Sequence, residues 1–533
     1  MRPTFLGFET QKRTLQVAQK SLDITGNNVS NINTPGYTRQ RVDLYAMYVS
    51  GNQSLRWSSN TNSLSLTGQG VNAYGVSQIR DIYIDKRYRE NVAVEAETEK
   101  SITVLSDIED VLDNFDTDGL QYFTMQFFSA MQDYSVEKPD SAEVATIARN
   151  AATNLCRLLN DYDTQLKQIE TTYVGELRDT VSYVNNLVKE MNTLNQRIEK
   201  ELMHYPAEYG PNELYDEMNL YIDELATYGD ISVTKNSNGT YSVDMGGVRI
   251  LDGEKKVTNE ILMKDYENNG QAILFFEKGG ELNVESGVLR GYINMINGNG
   301  VYATGHQNGS YGIAYFKSAI NEFARTFAKV MNSCNGAEDD PKREEDEQLR
   351  QMLIAEVYDE QQQKYVQTTD ALITAGNIHV ADAWMQDATM IAQVRKWDED
   401  KGMYVYGYDE YTNEDGTVSL QNTNVLYLVN QLNNSDIKFG YENDFRGSFH
   451  EYISFISNRL GQTIQYEQSR YDNAVTTVDT LLDARDDVSG VQLDEEGINM
   501  LNYQKWYSAS SRIVTALDDL LDKLINGTGR VGL

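Results

Sequence analysis

Cysteine, proline, tryptophan and histidine are scarce in this chain of 533 residues: two, six, four and four respectively. Cys156 and Cys334 lie far apart with no CxxC or metal spacing, which excludes a disulfide framework and a zinc site and leaves two ordinary thiols. The four histidines, His204, His306, His379 and His450, fall in four separate regions, and no HExxH, GxSxG or Walker pattern occurs. No apolar run approaches the roughly 18 residues of a membrane span, so no membrane insertion is expected. The start, Met1-Arg2-Pro3-Thr4-Phe5-Leu6-Gly7, turns polar within a few positions and carries no signal-peptide core. Positive charge is short as well: 46 basic against 80 acidic residues leave a net charge of −34, which repels nucleic acid and anionic lipid.

What is abundant is tyrosine, 35 residues of it, suited to surfaces half buried against other protein. Heptad patterning is present at both ends. Phe8, Leu15, Leu22 and Val29 recur in steps of seven, with Ala18, Thr25 and Ile32 interleaved, a coiled-coil seam stopped by Asn33, Pro35 and Gly36. Near the other end Tyr503, Trp506, Ser510, Ile513, Leu517, Leu520 and Leu524 alternate steps of three and four up to Asn526-Gly527. Asp494-Glu495-Glu496 places acid in that helix's first turn, favourable to its dipole, whereas Gly497 costs about 1 kcal/mol relative to Ala. A lone helix of this length is marginal in water, so the ends are expected to pack together. Such a chain is a subunit of a polymer rather than an enzyme.

Between the ends, the stripe from Ala151 through Leu166, Val181 and Leu194 to Leu202 predicts one long helix. Ile102, Leu105, Leu112 and Phe115 predict a shorter one before it, and Ile453 through Leu482 an antiparallel partner for the long one. Ile231–Thr234 and Thr240–Val243 alternate in twos around Asn238-Gly239, a hairpin signal, with further strands at Val248–Ile250 and Ala272–Phe276. Residues 338–348 are an acidic and basic linker, and 403–428 a tyrosine-rich β excursion. The fold class is therefore mainly α with β-rich insertions: a coiled-coil pair of terminal helices, a long helical bundle and outer β domains. The expected domains are 1–55 with 488–533 as the terminal pair and 56–228 with 447–487 as a helical rod, on which 311–333 and 370–395 pack. Residues 229–310 form a β-rich domain, and 334–369 and 396–446 are variable insertions.

Apparent chemistry dissolves on inspection. Gly298-Asn299-Gly300 is half a dinucleotide loop without its third glycine. Asn413-Glu414-Asp415-Gly416 imitates a calcium loop, but Tyr411 and Asn422 stand where its first carboxylate and closing Glu belong. No catalytic residue, metal ligand or cofactor is assigned.

Leu22 through Tyr37, with Asn27, Asn28, Asn33, Thr34, Pro35 and Gly36, closely resembles the opening signature of flagellar rod, hook and hook-associated proteins. Its Pro35-Gly36-Tyr37-Thr38-Arg39-Gln40 ending is similar to the hook-associated branch. Gly68–Val71 through Arg89, Ala375–Val380, and Ser489–Glu496 followed by Tyr503-Gln504 resemble further family segments. The resemblance implies a structural subunit at the hook–filament junction, exported without a cleaved signal peptide through the flagellar type III channel to the outside of the cell. It implies as partners copies of itself in a ring, hook protein, the second junction protein of hook-associated type 3, and an export chaperone at the C-terminal helix. Phe8, Leu15, Leu22, Val29, Trp506, Ile513, Leu517, Leu520 and Leu524 are the expected assembly seams, and Asn27, Asn28 and Thr34–Tyr37 the turn fixing the chain's exit. Two alternatives remain at this stage: another axial subunit, such as hook or distal rod protein, and an enzyme hidden in the β-rich insert.

Overall fold

The computed structural model describes residues 6–47, 70–112, 119–136, 141–204, 210–264, 271–336, 351–359, 362–391, 394–400, 403–407, 410–412, 418–420, 423–440 and 445–527. Phe115, the 338–348 linker and the 413–416 calcium-loop imitation lie outside them. The helices are α1 (Leu6–Ser30), α2 (Ile82–Leu112), α3 (Leu120–Val136), α4 (Ala142–His204), α5 (Asn212–Tyr228), α6 (Val288–Asn297), α7 (Ile313–Cys334), α8 (Asp382–Gln386), α9 (Thr423–Leu432), α10 (Phe449–Ser489) and α11 (Leu493–Asn526). The strands are β1 (Gln40–Ala46), β2 (Val71–Gln78), β3 (Ile231–Lys235), β4 (Tyr241–Met245), β5 (Val248–Asp252), β6 (Val257–Thr258), β7 (Ile261–Lys264), β8 (Ile273–Phe276), β9 (Leu353–Asp359), β10 (Lys364–Thr368), β11 (Ile378–Val380), β12 (Val394–Asp398), β13 (Met403–Gly407), β14 (Glu410–Thr412), β15 (Val418–Leu420), β16 (Ile437–Phe439) and β17 (Phe445–Gly447).

The protein is mainly helical, with several small antiparallel sheets. Its spine is α4, 63 residues without a proline, roughly 95 Å at the helical rise. Ala145, Ala148 and Ala152 bury small side chains at one end, and Leu177, Val184, Met191 and Ile198 continue the stripe. Helices α3, α5, α6 and α7 pack along it. Its asparagines also hold strands: Asn195 both donates to and accepts from the Tyr241 backbone at 2.8 Å, and Asn185 does the same for Ile261. A side-chain amide thus satisfies backbone groups of β4 and β7 that packing against a helix would otherwise leave unpaired.

The hairpin signal at Asn238-Gly239 corresponds to β3–β4, with Ile231 opposite Met245 and Lys235 opposite Tyr241. β5 and β6 extend it to a four-stranded sheet, and β7–β8 form a separate pair. The expected β-rich stretch 229–310 is not all strand, since α6 lies within it and packs on α2 and α4. Likewise the end of the expected β excursion, from residue 423, is the start of the helix α9. The Gly298–Gly300 segment is a tight turn: a Cβ on Gly298 would sit 2.2 Å from the Asn294 carbonyl, and Gly300 has φ +53°.

One pairing differs from expectation. Helix α10 runs antiparallel along α2, with Arg485 beside Tyr88 and Arg470 beside Glu97, rather than along α4. Apolar period alone does not choose a partner; here Arg470 of α10 meets Glu97 of α2, and Arg485 meets Asp223 of α5, which Arg89 of α2 also holds. At its start Ser448 and Glu451 form a reciprocal capping box. Beside that cap an aromatic cluster joins three elements, α10, α7 and β16: Phe449 stands edge-on to Phe323, Phe327 and Phe439, and Phe439 stacks on Tyr452 at 4.1 Å. Phe449→Ala opens a cavity in this cluster and is expected to cost about 3–5 kcal/mol, read from the denaturant midpoint of the full chain.

Candidate assembly site

The two ends of the chain meet. Helices α1 and α11 lie side by side and antiparallel: Asn28 reaches Glu496 at one end, and Gly7 lies beside the Leu517 side chain at the other. The face that α1 buries is Val17, Ala18, Ser21, Ile24, Thr25 and Asn28. On α11, Glu496 and Ser510 are buried, while Tyr503 and Leu517 are half-buried. Small and polar residues dominate this seam, so the helices approach closely without a large apolar core.

The expected seam residues divide between two faces. Leu517 lies in the intramolecular seam, and Phe8, Leu15, Leu22 and Val29 are half-buried at its flank. Trp506, Ile513 and Leu520 lie on a different row, with Trp506 47% and Leu520 62% exposed, whereas Leu524, also exposed, follows Leu517 by seven residues on the row facing α1. Ile498, Leu501 and Ile525 are exposed on the same helix. The alternation of threes and fours merged two rows of α11, one facing α1 and one open.

The base of the pair is a polar joint. After Ser30 the chain turns through Thr34, whose N–H donates to Asn31, and Tyr37, whose N–H donates to Thr34. Gly36 closes the turn with φ +75°, and a Cβ there would come within 2.6 Å of Leu220 on α5. Asn33, Thr34 and Pro35 lie on the surface. Asn28, buried, accepts from the Tyr37 hydroxyl at 2.8 Å and from the Gln40 N–H at 3.0 Å, and its amide donates to the Gln40 carbonyl at 2.9 Å. Asn27 donates to the Tyr37 hydroxyl at 3.3 Å. Burial, with Asp216, Glu213 and Glu496 nearby, pushes the Tyr37 phenol well above its ordinary value and keeps it a donor.

Arg39 then spans the ends, donating to Glu496 and to Glu495 at 2.7 Å each. Burial pulls its pKa down, but the two carboxylates outweigh that and hold it charged. Its backbone N–H donates to the Ser489 carbonyl between α10 and α11. The acids of the α11 first turn, explained from sequence by the helix dipole, are thus also the partners of Arg39. No local signal could have shown this across 457 positions.

Below the turn the joint continues into α5. Gln78 of β2 donates to Asp216 at 2.7 Å, and Arg80 forms an ion pair with Asp85. Asp223 takes Arg89 at 2.6 Å and Arg485 at 2.7 Å. A polar cleft of about 460 Å³ opens between the 31–38 turn, α5 and the α10–α11 hinge. It contains no metal-ligating set: among the described residues no group of three His, Cys, Asp or Glu could hold an ion, and no helix is long and apolar enough to cross a membrane. Both cysteines are buried and neither forms a disulfide.

Comparison with known proteins follows this geometry. Residues 105–346 match the model of the flagellar hook-associated protein FlgK helical domain, 8–38 that of flagella basal body rod protein, and 487–527 that of the flagellar basal body rod FlgEFG protein C-terminal. The chain is 29% identical to flagellar hook-associated protein 1 of Bacillus subtilis, over 99% of both chains. It is 21% identical to that of Escherichia coli, over 96% of this chain and 98% of the relative. The solved flagellar hook junction protein FlgK from Burkholderia pseudomallei shares the fold, with a TM-score of 0.50 and 13% identity over 74% of this chain and 99% of that one.

Two outcomes are expected of the joint. Arg39→Ala leaves the Glu496 carboxylate, only 2% exposed, without its cation and should cost about 3 kcal/mol, seen as lost amide protection in α1 and α11 by hydrogen exchange. Burial raises the Asp216 carboxyl to about 6, so its charge opposes folding above pH 6 and this cost fades as pH falls towards its unfolded value near 4. Asp216→Asn should therefore gain urea resistance relative to the parent at pH 7.5, a difference that disappears by pH 4.

Proposed function

The chain belongs to the flagellar hook-associated protein 1 family, and from that premise we propose that it forms the collar between hook and filament by joining exposed helix faces of neighbouring subunits. It is a structural axial protein of the flagellum, outside the cell, and not an enzyme. The observation that carries the mechanism is the divided α11: one row faces α1, whereas Trp506, Ile513 and Leu520 leave large apolar side chains exposed. Contiguous exposed apolar surface of this kind marks an interface.

In this reading the terminal pair lines the inner tube, the helices around α4 form the next shell, and the small sheets lie outermost. The Asn28–Arg39–Glu496 joint fixes the angle at which the pair leaves the shell. Neighbouring pairs bury Phe8, Leu15, Leu22 and Val29 against the open row of α11, so assembly completes the core. Before assembly that face is available to an export chaperone during passage through the type III channel. The flanking partners are hook protein on one side and the hook-associated type 3 junction protein on the other.

Purified protein added to isolated hooks stripped of their filaments should form a short collar at the hook tip, visible by electron microscopy, and stop there. Extension into long tubes would instead identify a hook-type subunit. Leu22→Asp combined with Leu520→Asp, both outside the tight intramolecular seam, should leave the circular dichroism and melting of the chain within a few degrees of the parent. The same variant should abolish the collar; normal collars from it would sink the seam mechanism.

A further inference from the structure

Two short hairpins far from the terminal pair are built alike. Tyr358-Asp359-Glu360 is followed by Tyr365-Val366, and Trp397-Asp398-Glu399 by Tyr404-Val405, with the two aromatic residues seven positions apart in both. The registers agree: Tyr358 lies opposite Tyr365 on β9–β10, and Trp397 opposite Tyr404 on β12–β13. In each hairpin the paired rings meet edge to face, at 5.3 Å and 68° in the first and 5.0 Å and 74° in the second. Tyr358 and Tyr365 are 51% and 67% exposed.

In the second hairpin one ring of the pair holds a cation together with a third ring, Tyr427 of α9. Arg395, two residues before Trp397, has its guanidinium carbon 3.6 Å from the centre of the Tyr404 ring and 3.8 Å from that of Tyr427. In the first hairpin the same position is Glu356, on the strand face shared with Tyr358. The cation is thus replaced by an acid, whose carboxylate lies 3.3 Å from His379. The opposite face of β9 is the buried one, through Leu353 and Ala355, so the Glu356 and Tyr358 face is turned outward. A ring pair with a carboxylate beside it suits a guanidinium, which stacks on the rings while its N–H groups reach the acid.

We propose that the Tyr358–Tyr365 face with Glu356 is a docking site for an arginine presented by a basic protein partner. The second hairpin fills the equivalent position with its own Arg395, and the first leaves it for a residue from outside. The net charge of −34 favours a basic partner over an acidic one. Arginine is preferred to lysine because a compact ammonium cannot stack and pair with the carboxylate at the same time.

The test uses the full chain with fluorescent nona-arginine, and nona-lysine as control, by fluorescence anisotropy at physiological salt. Tighter binding of nona-arginine is expected, weakened about fivefold or more by Tyr358→Ala with Tyr365→Ala and similarly by Glu356→Gln. Nona-lysine binding should not change in the aromatic variant, whose net charge is that of the parent. Trp397→Ala with Tyr404→Ala should leave nona-arginine binding as it was, since that hairpin carries its own cation. If the Tyr358/Tyr365 variant misfolds, Glu356→Gln decides alone. No binding of nona-arginine, binding indifferent to the Tyr358/Tyr365 and Glu356 changes, or loss confined to the Trp397/Tyr404 variant would each overturn the assignment.

Discussion

The ion pair between Arg39 and Glu496 is the constraint on which the arrangement of this molecule depends. It joins two helices from opposite ends of the sequence at a point where both backbones change direction. The Glu496 carboxylate is buried, so separating it from Arg39 would leave a charge with no cation and only the Asn28 amide beside it. Asn28 adds direction to that charge, because its amide reads the Gln40 backbone and the Glu496 carboxylate at once. A purely apolar contact would hold the ends together but would let one slide along the other. Hydrogen bonds at fixed positions specify the register.

That joint makes an otherwise thin helix pair usable. The intramolecular seam is built of Ala18, Ser21, Thr25 and Ser510, which bury little apolar area, so packing inside one subunit contributes modestly to the pair's stability. Val17, Ile24 and Leu517 apart, the larger side chains of the pair lie on the other rows. Within the chain, the pair thus rests on a polar joint and a thin seam, while its other rows keep large apolar side chains exposed, the surface that the proposed assembly would bury.

The same division explains the body of the molecule. Polar side chains rather than apolar ones decide which helix meets which: Asp223 gathers Arg89 and Arg485, Glu97 faces Arg470, and asparagines of α4 hold the strands laid across it. The aromatic cluster around Phe449 then packs the start of α10 against α7 and β16.

Much was legible in the sequence because it is local. Heptad spacing marked α1 and α11, the long stripe marked α4, Asn238-Gly239 marked the β3–β4 hairpin, and Pro35-Gly36 marked the turn. These patterns determine element type, since the period of burial is a property of the element itself. Tertiary structure decided the partners. It set α10 against α2, separated the α11 residues into a row facing α1 and an open row, placed α6 within an expected β domain, and brought Arg39 to Glu496. Each of these choices turns on a charge or a close approach between residues hundreds of positions apart, and spacing along a chain carries no record of which distant charge a buried group will need.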